Sequence, residues 1–322
     1  MQSLKIPGKT YQFHNPEDAY RYAQYLISEW QIGPLFLHYL GLIELPPIPE
    51  GVKILFCNTN HLKFLTNLPS TLTTIFCDHN VLTTISNLPL SVKRINCDFN
   101  LISKISNLPP QLEYLECSDN LLTSLPPLPD TLQCLNCSYN ALNTLPLLPP
   151  LLNQLICAGC KLCMLPTLPP YLRYLCCAYN YLTWLPTLPL HIEDIECQCN
   201  ELVRLPSIPH SLSRINACHN DIMEYPVITH IAKQDVRIFI ENNPLKEHVL
   251  GDVEIILDND SYDMLDKYMM HCKAVEKIHE WEKSQVRAHA RCAIVKEGIM
   301  MKVWHPSRVL RLLEAGYKIE DI

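Results

Sequence analysis

Cysteine is the residue type in this chain with the most chemistry to offer: there are 16, alongside 13 histidines. Cys157, Cys160 and Cys163 form a Cys-x2-Cys-x2-Cys run, a spacing that invites zinc, which takes four thiolate or imidazole ligands in a tetrahedron. No fourth ligand stands nearby, so no metal is expected there. His279-Glu280 begins a His-Glu-x-x-His pattern, but Lys283 occupies the place of the second histidine, so no pair of imidazoles can meet on a helix face. The 8 glycines are scattered and build no phosphate loop. The residues therefore point to no catalytic constellation, and neither an enzyme nor a cofactor is expected.

What positions the cysteines is a repeat. Cys57, Cys77, Cys97, Cys117, Cys137, Cys157, Cys177 and Cys197 stand twenty residues apart, one column of a unit that recurs nine times from Gly51 to His230 without insertion. A fixed period of this size means a stacked architecture, in which each unit relies on its neighbours to bury its apolar face. The fifth position of the unit (Leu55, Ile75, Ile95, Leu115 and onward) and the seventh, cysteine position alternate with polar or variable residues, the period of a short strand with one buried face. Packed, reduced thiols are the expected state of the column, with cysteine serving as a small buried apolar residue.

The tenth position is Asn60, Asn80, Asn100, Asn120, Asn140, Asn180, Asn200 and Asn220, interrupted only by Cys160. Where the chain leaves a strand and turns inward, backbone groups lose their partners; an amide side chain offers donors and an acceptor to replace them, and stacked amides can also bond each other. Cys160 cannot replace an amide and predicts a local weakness. The second half of each unit is rich in proline, as in Leu125–Pro129 (LPPLP) and Leu165–Pro169 (LPTLP). Proline lacks an N–H and fixes φ, which predicts an extended, polyproline-like return rather than a helix or a laddered strand.

The pattern L-x-x-L-x-C-x-x-N-x-L at Leu112–Leu122 resembles the leucine-rich repeat, and the twenty-residue unit with LPxLP in its back resembles the bacterial-effector subclass of that family. The resemblance covers 51–230 and extends to imperfect units at Pro34–Glu50, where Leu40 replaces Asn, and at Val236–Leu245, where Asn243 follows a three-residue insertion. It implies an α/β solenoid, a horseshoe with a parallel sheet on its concave face and an extended convex side. The expected domains are an N-terminal helical cap at 1–33, the solenoid at 34–245 and a C-terminal helical cap or appendage at 246–322. Effectors of this subclass often carry a ubiquitin-ligase domain with a Cys-x-Asp nucleophile. Cys117-Ser118-Asp119 has those letters but lies in the inward column, where a buried thiol has no base to activate it. The tail His305–Ile322 (HPSRVLRLLEAGYKIEDI) resembles tails of giant DNA virus proteins of amoebae, which implies a giant-virus leucine-rich repeat protein.

The charge balance, 26 basic against 33 acidic residues, shows no basic stripe for nucleic acid. No apolar stretch is long enough to span a membrane, and the first residues contain no apolar run of a signal peptide, so a cytoplasmic location (of a host cell, if viral) is expected. The remaining candidate is the outward face of the sheet, where Phe56, Phe76, Phe99, Tyr114, Tyr139, Tyr174 and Tyr179 recur, with Glu193, Asp194 and Glu196 in acidic company. Aromatics are favoured binding anchors, although tyrosines also tile exposed sheets for β-propensity alone. The reading is a protein-interaction scaffold binding a partner protein, a host protein if the chain is viral. The alternatives are a substrate-recognition adaptor for a ubiquitin ligase and a structural virion component. Neither the partner's identity nor the oligomeric state follows from the residues.

Overall fold

The computed structural model describes residues 15–224, 226 and 236–244. Each twenty-residue unit contributes its fourth to sixth residues as a short strand, and these lie side by side in one parallel sheet of 11 strands, in chain order from Leu35–Phe36 and Ile54–Phe56 to Arg214–Asn216 and Arg237–Phe239. Register advances by one unit per strand: Leu35 faces Leu55, Leu115 faces Leu135, and Ile195 faces Ile215. The last step pairs Ile215 with Ile238, which absorbs the three-residue insertion without breaking the sheet. The imperfect units at both ends are thus full turns of the solenoid.

The inward columns form one continuous core. Leu112, Cys117 and Leu122 are fully buried and Leu115 nearly so, and the same places are filled in each regular turn. The column thiols add weak donors aimed along the sheet: Cys77 Sγ donates to Asn96 O (3.2 Å) and Cys97 Sγ to Glu116 O (3.3 Å). Burial pushes the Cys77, Cys97, Cys117, Cys157 and Cys177 thiols well above the usual thiol range, so they stay neutral.

The asparagines form a ladder, though not by bonding one another. Asn120 Oδ1 accepts from Ile102 N–H in the preceding turn (2.9 Å), while its Nδ2 donates to Cys97 O one turn back (3.0 Å) and to Cys117 O and Ser118 O of its own turn. Asn60, Asn80, Asn100, Asn140, Asn180, Asn200 and Asn220 repeat the scheme. Asn243 does so as well, accepting from Ile222 N–H (2.9 Å). The expectation that stacked amides bond each other is corrected: the buried backbone takes up their donors and acceptors, and successive amides meet only at a shared carbonyl, as Asn100 and Asn120 do at Cys97 O. Cys160 also departs from expectation. Its sulfur takes up part of the amide's role, donating to Cys137 O (3.4 Å) and, at longer range, to Ala158 O (3.7 Å).

The residue before the ladder position is left-handed in every turn, with φ of 53° at Thr59, 51° at Phe99, 56° at Tyr179 and 63° at Gly159. Non-glycine residues resist this region by about 1–2 kcal/mol. The conformation is held by a bond to the next turn, as in Thr59 N–H to Asp78 O (2.9 Å) and Tyr179 N–H to Gln198 O (2.9 Å). Thr59, being β-branched, carries the largest cost. Thr59→Asn is expected to stabilise the protein by ~0.5–1 kcal/mol, read as a higher denaturation midpoint in urea; a lower midpoint would show that the threonine side chain itself supports the turn.

The return segments run extended, with one correction. Thr84–Ile85 and Lys104–Ile105 pair as a second, two-stranded parallel sheet on the back. Both units, like the preceding one with Thr66, lack the proline that follows the leucine in later units, as in Leu165-Pro166; Ser106 stands there instead, and its N–H donates to Ile85 O (2.9 Å). Restoring that donor restores the ladder. At the N-terminal end a helix spans Pro16–Glu29, with Asn15 Oδ1 accepting from Glu17 N–H (3.0 Å) and Pro16 in the first turn. Ala19 and Ala23 are buried, and Tyr22, Leu26, Ile27 and Trp30 lie against the same core as the first turns. The expected helices at 246–322 lie outside the described residues.

Candidate interaction face

Alternation along each strand sends the fifth and seventh residues into the core and the fourth, sixth and eighth to the opposite face of the sheet. On the first turns that face is an aromatic stack. Phe36 lies on Phe56 (ring centroids 5.0 Å apart) and Phe56 on Phe76 (4.6 Å). Beyond Phe76 the guanidinium of Arg94 takes over, 5.9 Å from the Phe76 ring and 5.0 Å from that of Tyr114, while Nη2 donates to Glu116 Oε1 (2.9 Å). Phe99 stacks on His79 (4.5 Å) beside this row. Four of the predicted face residues, Phe56, Phe76, Phe99 and Tyr114, therefore lie on the first turns, half-buried by one another.

Tyr139, Tyr174 and Tyr179 belong to a second group; Tyr139 stands one turn beyond Tyr114, and Tyr174 and Tyr179 stand three turns beyond it, about 14 Å at ordinary strand spacing. Ala158, Cys176 and Ala178 are buried in an apolar cluster separate from the main core, with Ile156, Tyr174 and Tyr179 around it. Tyr139 adjoins it: a Cβ on Gly159 would fall 2.5 Å from the Tyr139 ring, so only glycine lets that ring lie flat over the backbone. Burial pushes the Cys176 thiol up to about 12 and raises the Tyr174 phenol, so the cluster is uncharged at neutral pH.

The acidic company differs from expectation. Glu193 is paired with Arg173, and Arg214 Nη1 reaches both Glu196 Oε1 (2.9 Å) and Asp194 Oδ1 (3.2 Å). Residues one period apart sit side by side on neighbouring strands, so each carboxylate found a guanidinium on an adjacent rung. The rim of the second cluster is a network of ion pairs rather than an acidic patch, and such half-exposed pairs orient side chains more than they stabilise the fold.

Carboxylates without a basic neighbour of that kind occur on the middle turns. Asp98 Oδ1 accepts from Ser118 N–H (2.6 Å), yet burial raises its carboxyl to about 6, with the charges of Glu116 and Asp78 adding to the shift. Asp119 is pushed up to about 7 by burial and by Asp98, with His79 opposing. Both values exceed the ~3.9 of an unfolded aspartate, so the folded chain binds more protons between about pH 4 and 7. The stability these groups allow is fully present below about pH 4 and is lost as pH rises through 6 and 7. Asp119→Asn should therefore raise the melting temperature at pH 8 and shift it little near pH 4; an equal shift at both would mean that charge is not the cause.

Cys157 and Cys160 point inward and Cys163 is exposed, so the Cys-x2-Cys-x2-Cys run does not converge, and no group of three metal-binding side chains forms among the described residues. The sequence reading missed a groove of about 520 Å³ on the proline-rich side, lined by Thr144, Met164, Pro166, Thr167, Trp184 and Pro186. Its signal was present in consecutive units: Met164 and Trp184 occupy a column otherwise held mostly by small or charged residues.

No protein-family model matches the chain, and no curated protein matches it. Solved structures do. YopM from Yersinia enterocolitica WA-314 is 34% identical, with a TM-score of 0.62 over 66% of this chain and 48% of that one; the chain thus matches about half the length of that protein. The leucine-rich repeat domain of APL1B aligns with a TM-score of 0.58 at 15% identity, covering 80% of this chain and 86% of that one. FLRT2, through its leucine-rich repeats, is part of an octameric complex with Latrophilin 3 and Unc5D that aligns with a TM-score of 0.53 at 20% identity, over 67% of this chain and 87% of that one. The fold is that of the leucine-rich repeat solenoids.

Proposed function

We propose that this leucine-rich repeat solenoid is a non-enzymatic scaffold that holds a partner protein on its concave sheet. The observation that carries the reading is the second apolar cluster: Ala158, Cys176 and Ala178, ringed by Ile156, Tyr174 and Tyr179, lie on the sheet face away from the core. An apolar cluster of small residues packed under tyrosines, with the Arg173–Glu193 and Arg214–Glu196 pairs on the same and following turns, has the apolar centre and polar rim of a protein interface. A sheet face that served only as surface would not gather its apolar residues in one place. The buried, neutral thiols suit a reducing, cytoplasmic setting. The tail that carries the resemblance to giant-virus proteins lies outside the described residues; if that resemblance holds, the partner is a host or viral protein.

The test is affinity purification with the intact chain beside a Tyr139→Ala, Tyr174→Ala, Tyr179→Ala variant whose circular dichroism and melting curve match the parent. Specific loss of a protein in the variant supports the concave-face scaffold. A partner kept by the variant would overturn the assignment of the face and move binding to the back groove or to 246–322. Capture of ligase subunits through 246–322 would favour the adaptor reading, and abundant incorporation into virus particles the structural one.

A further inference from the structure

The groove on the proline-rich side is not accounted for by binding on the concave sheet. On the early turns the returns are laddered, with Ser106 N–H donating to Ile85 O (2.9 Å). Pro146, Pro166 and Pro186 hold the same position on later turns and have no N–H to give, so their returns run extended with no such ladder. Over them lies the groove of about 520 Å³, with no charged residue in its lining and with Trp184, 45% exposed, on its wall. Just outside the lining stand two exposed charges of opposite sign, Asp130 on the turn before it and Arg204 on the turn after. Arg173 pairs with Glu193 one period on, but no ion pair joins Arg204 to Glu224, which stands one period on from it, and none holds Asp130.

We propose that this groove is the centre of a back-to-back dimer, its occupant a second copy of this chain related by a two-fold axis. In such a pair the same patch serves both subunits, so each feature must find its complement on the same surface, at the position the axis prescribes. Pro166 stands at the middle of the lining, and an axis through it sets each residue against the one equally far on the other side of 166. Trp184, eighteen residues after Pro166, then lies over the partner's Leu148, eighteen before it. Next to Leu148 in the chain is Leu147, which at 87% exposure is the side chain most in need of cover on this side. Arg204, thirty-eight residues after Pro166, lies over the partner's Leu128. Asp130 is two residues further, about 6 Å along an extended return and within the reach of a guanidinium arm.

Symmetry gives each contact twice. The apolar groove is covered by leucine and closed at both ends by an Arg204–Asp130 pair, an apolar centre with a polar rim. Proline-rich returns suit this use, because they are already fixed in extended form and lose little freedom on docking. The contact spans five turns, about 19 Å at strand spacing, which predicts a dissociable dimer. Both concave sheets stay open.

The experiment uses the full chain under reducing conditions, in sedimentation equilibrium over a range of concentrations. The parent should approach twice its 37.1 kDa as concentration rises. Arg204→Glu and Asp130→Arg, each checked by circular dichroism and melting curve, should each weaken self-association about 100-fold, because one reversal sets like charges together at two symmetric contacts. Mixing the two variants should restore the dimer, since every altered charge then faces an opposite one. A parent that stays at 37.1 kDa at the highest concentration would overturn the proposal. So would a dimer indifferent to both reversals, or a mixture no more associated than the separate variants. A monomer that takes up a synthetic proline-rich peptide in the groove would also overturn it, giving the groove to a different protein.

Discussion

Asn120→Ala is expected to destabilise the solenoid by ~1–3 kcal/mol. The amide serves four backbone groups: Ile102 N–H donates to Oδ1, and Cys97 O, Cys117 O and Ser118 O accept from Nδ2. The carbonyls keep a second donor, Asn100 Nδ2 at Cys97 O (3.0 Å), Asn140 Nδ2 at Cys117 O (2.9 Å) and Phe99 N–H at Ser118 O (3.1 Å), so the buried Ile102 N–H is the group left without its partner. Each buried group left unpaired costs about 1–3 kcal/mol, and the carbonyls, with a second lone pair, suffer less than the lone N–H. The loss should appear as a melting temperature roughly 4–8 °C below the parent. It should also appear as amide exchange at Ile102 faster by about 100-fold, because a stacked repeat can open near the lesion before it unfolds elsewhere. A melting curve within a degree or two of the parent would mean that the ladder is ornamental.

Cys160→Asn is the converse, expected to stabilise the reduced protein by ~1–3 kcal/mol. The sulfur at this position makes long contacts, 3.4 Å to Cys137 O and 3.7 Å to Ala158 O, and a thiol is a weak donor and acceptor. An amide would donate to both carbonyls and accept from Leu142 N–H, as Asn180 does from Leu162 N–H at 3.0 Å. The pocket exists already, because the backbone before it is left-handed at Gly159 (φ 63°) as it is before the asparagines. Urea denaturation under reducing conditions reads the effect. A variant less stable than the parent would show that the stack has closed around sulfur and has no room for the amide.

Much of the molecule was legible in the chain itself. The twenty-residue period, the alternation around Leu115 and Cys117 and the recurrence from Asn60 to Asn220 determined a parallel-stranded stack, its inward columns and its ladder. These features depend on residue type at fixed spacing, and a repeat states them nine times over. Even the ion pairs were within reach, since Arg173 and Glu193 stand one period apart.

Three features were decided only by the fold. The left-handed position before each asparagine is held by Thr59, His79, Phe99, Asp119 and Tyr139, a mixture of types with no common signal of positive φ; bonds to the next turn impose it. The aromatic face of Phe56, Phe76 and Tyr114 turned out to be stacked on itself and on Arg94, leaving the separate cluster around Ala178 as the place where apolar surface is gathered. Cys160 read in sequence as a third of a metal-like run and a fault in a ladder, yet its partner is Cys137, twenty-three residues earlier. Sequence spacing fixes which residues share a column; only stacking in three dimensions decides which side chain of one turn rests on which backbone of the last, and that contact sets both the strain and the chemistry.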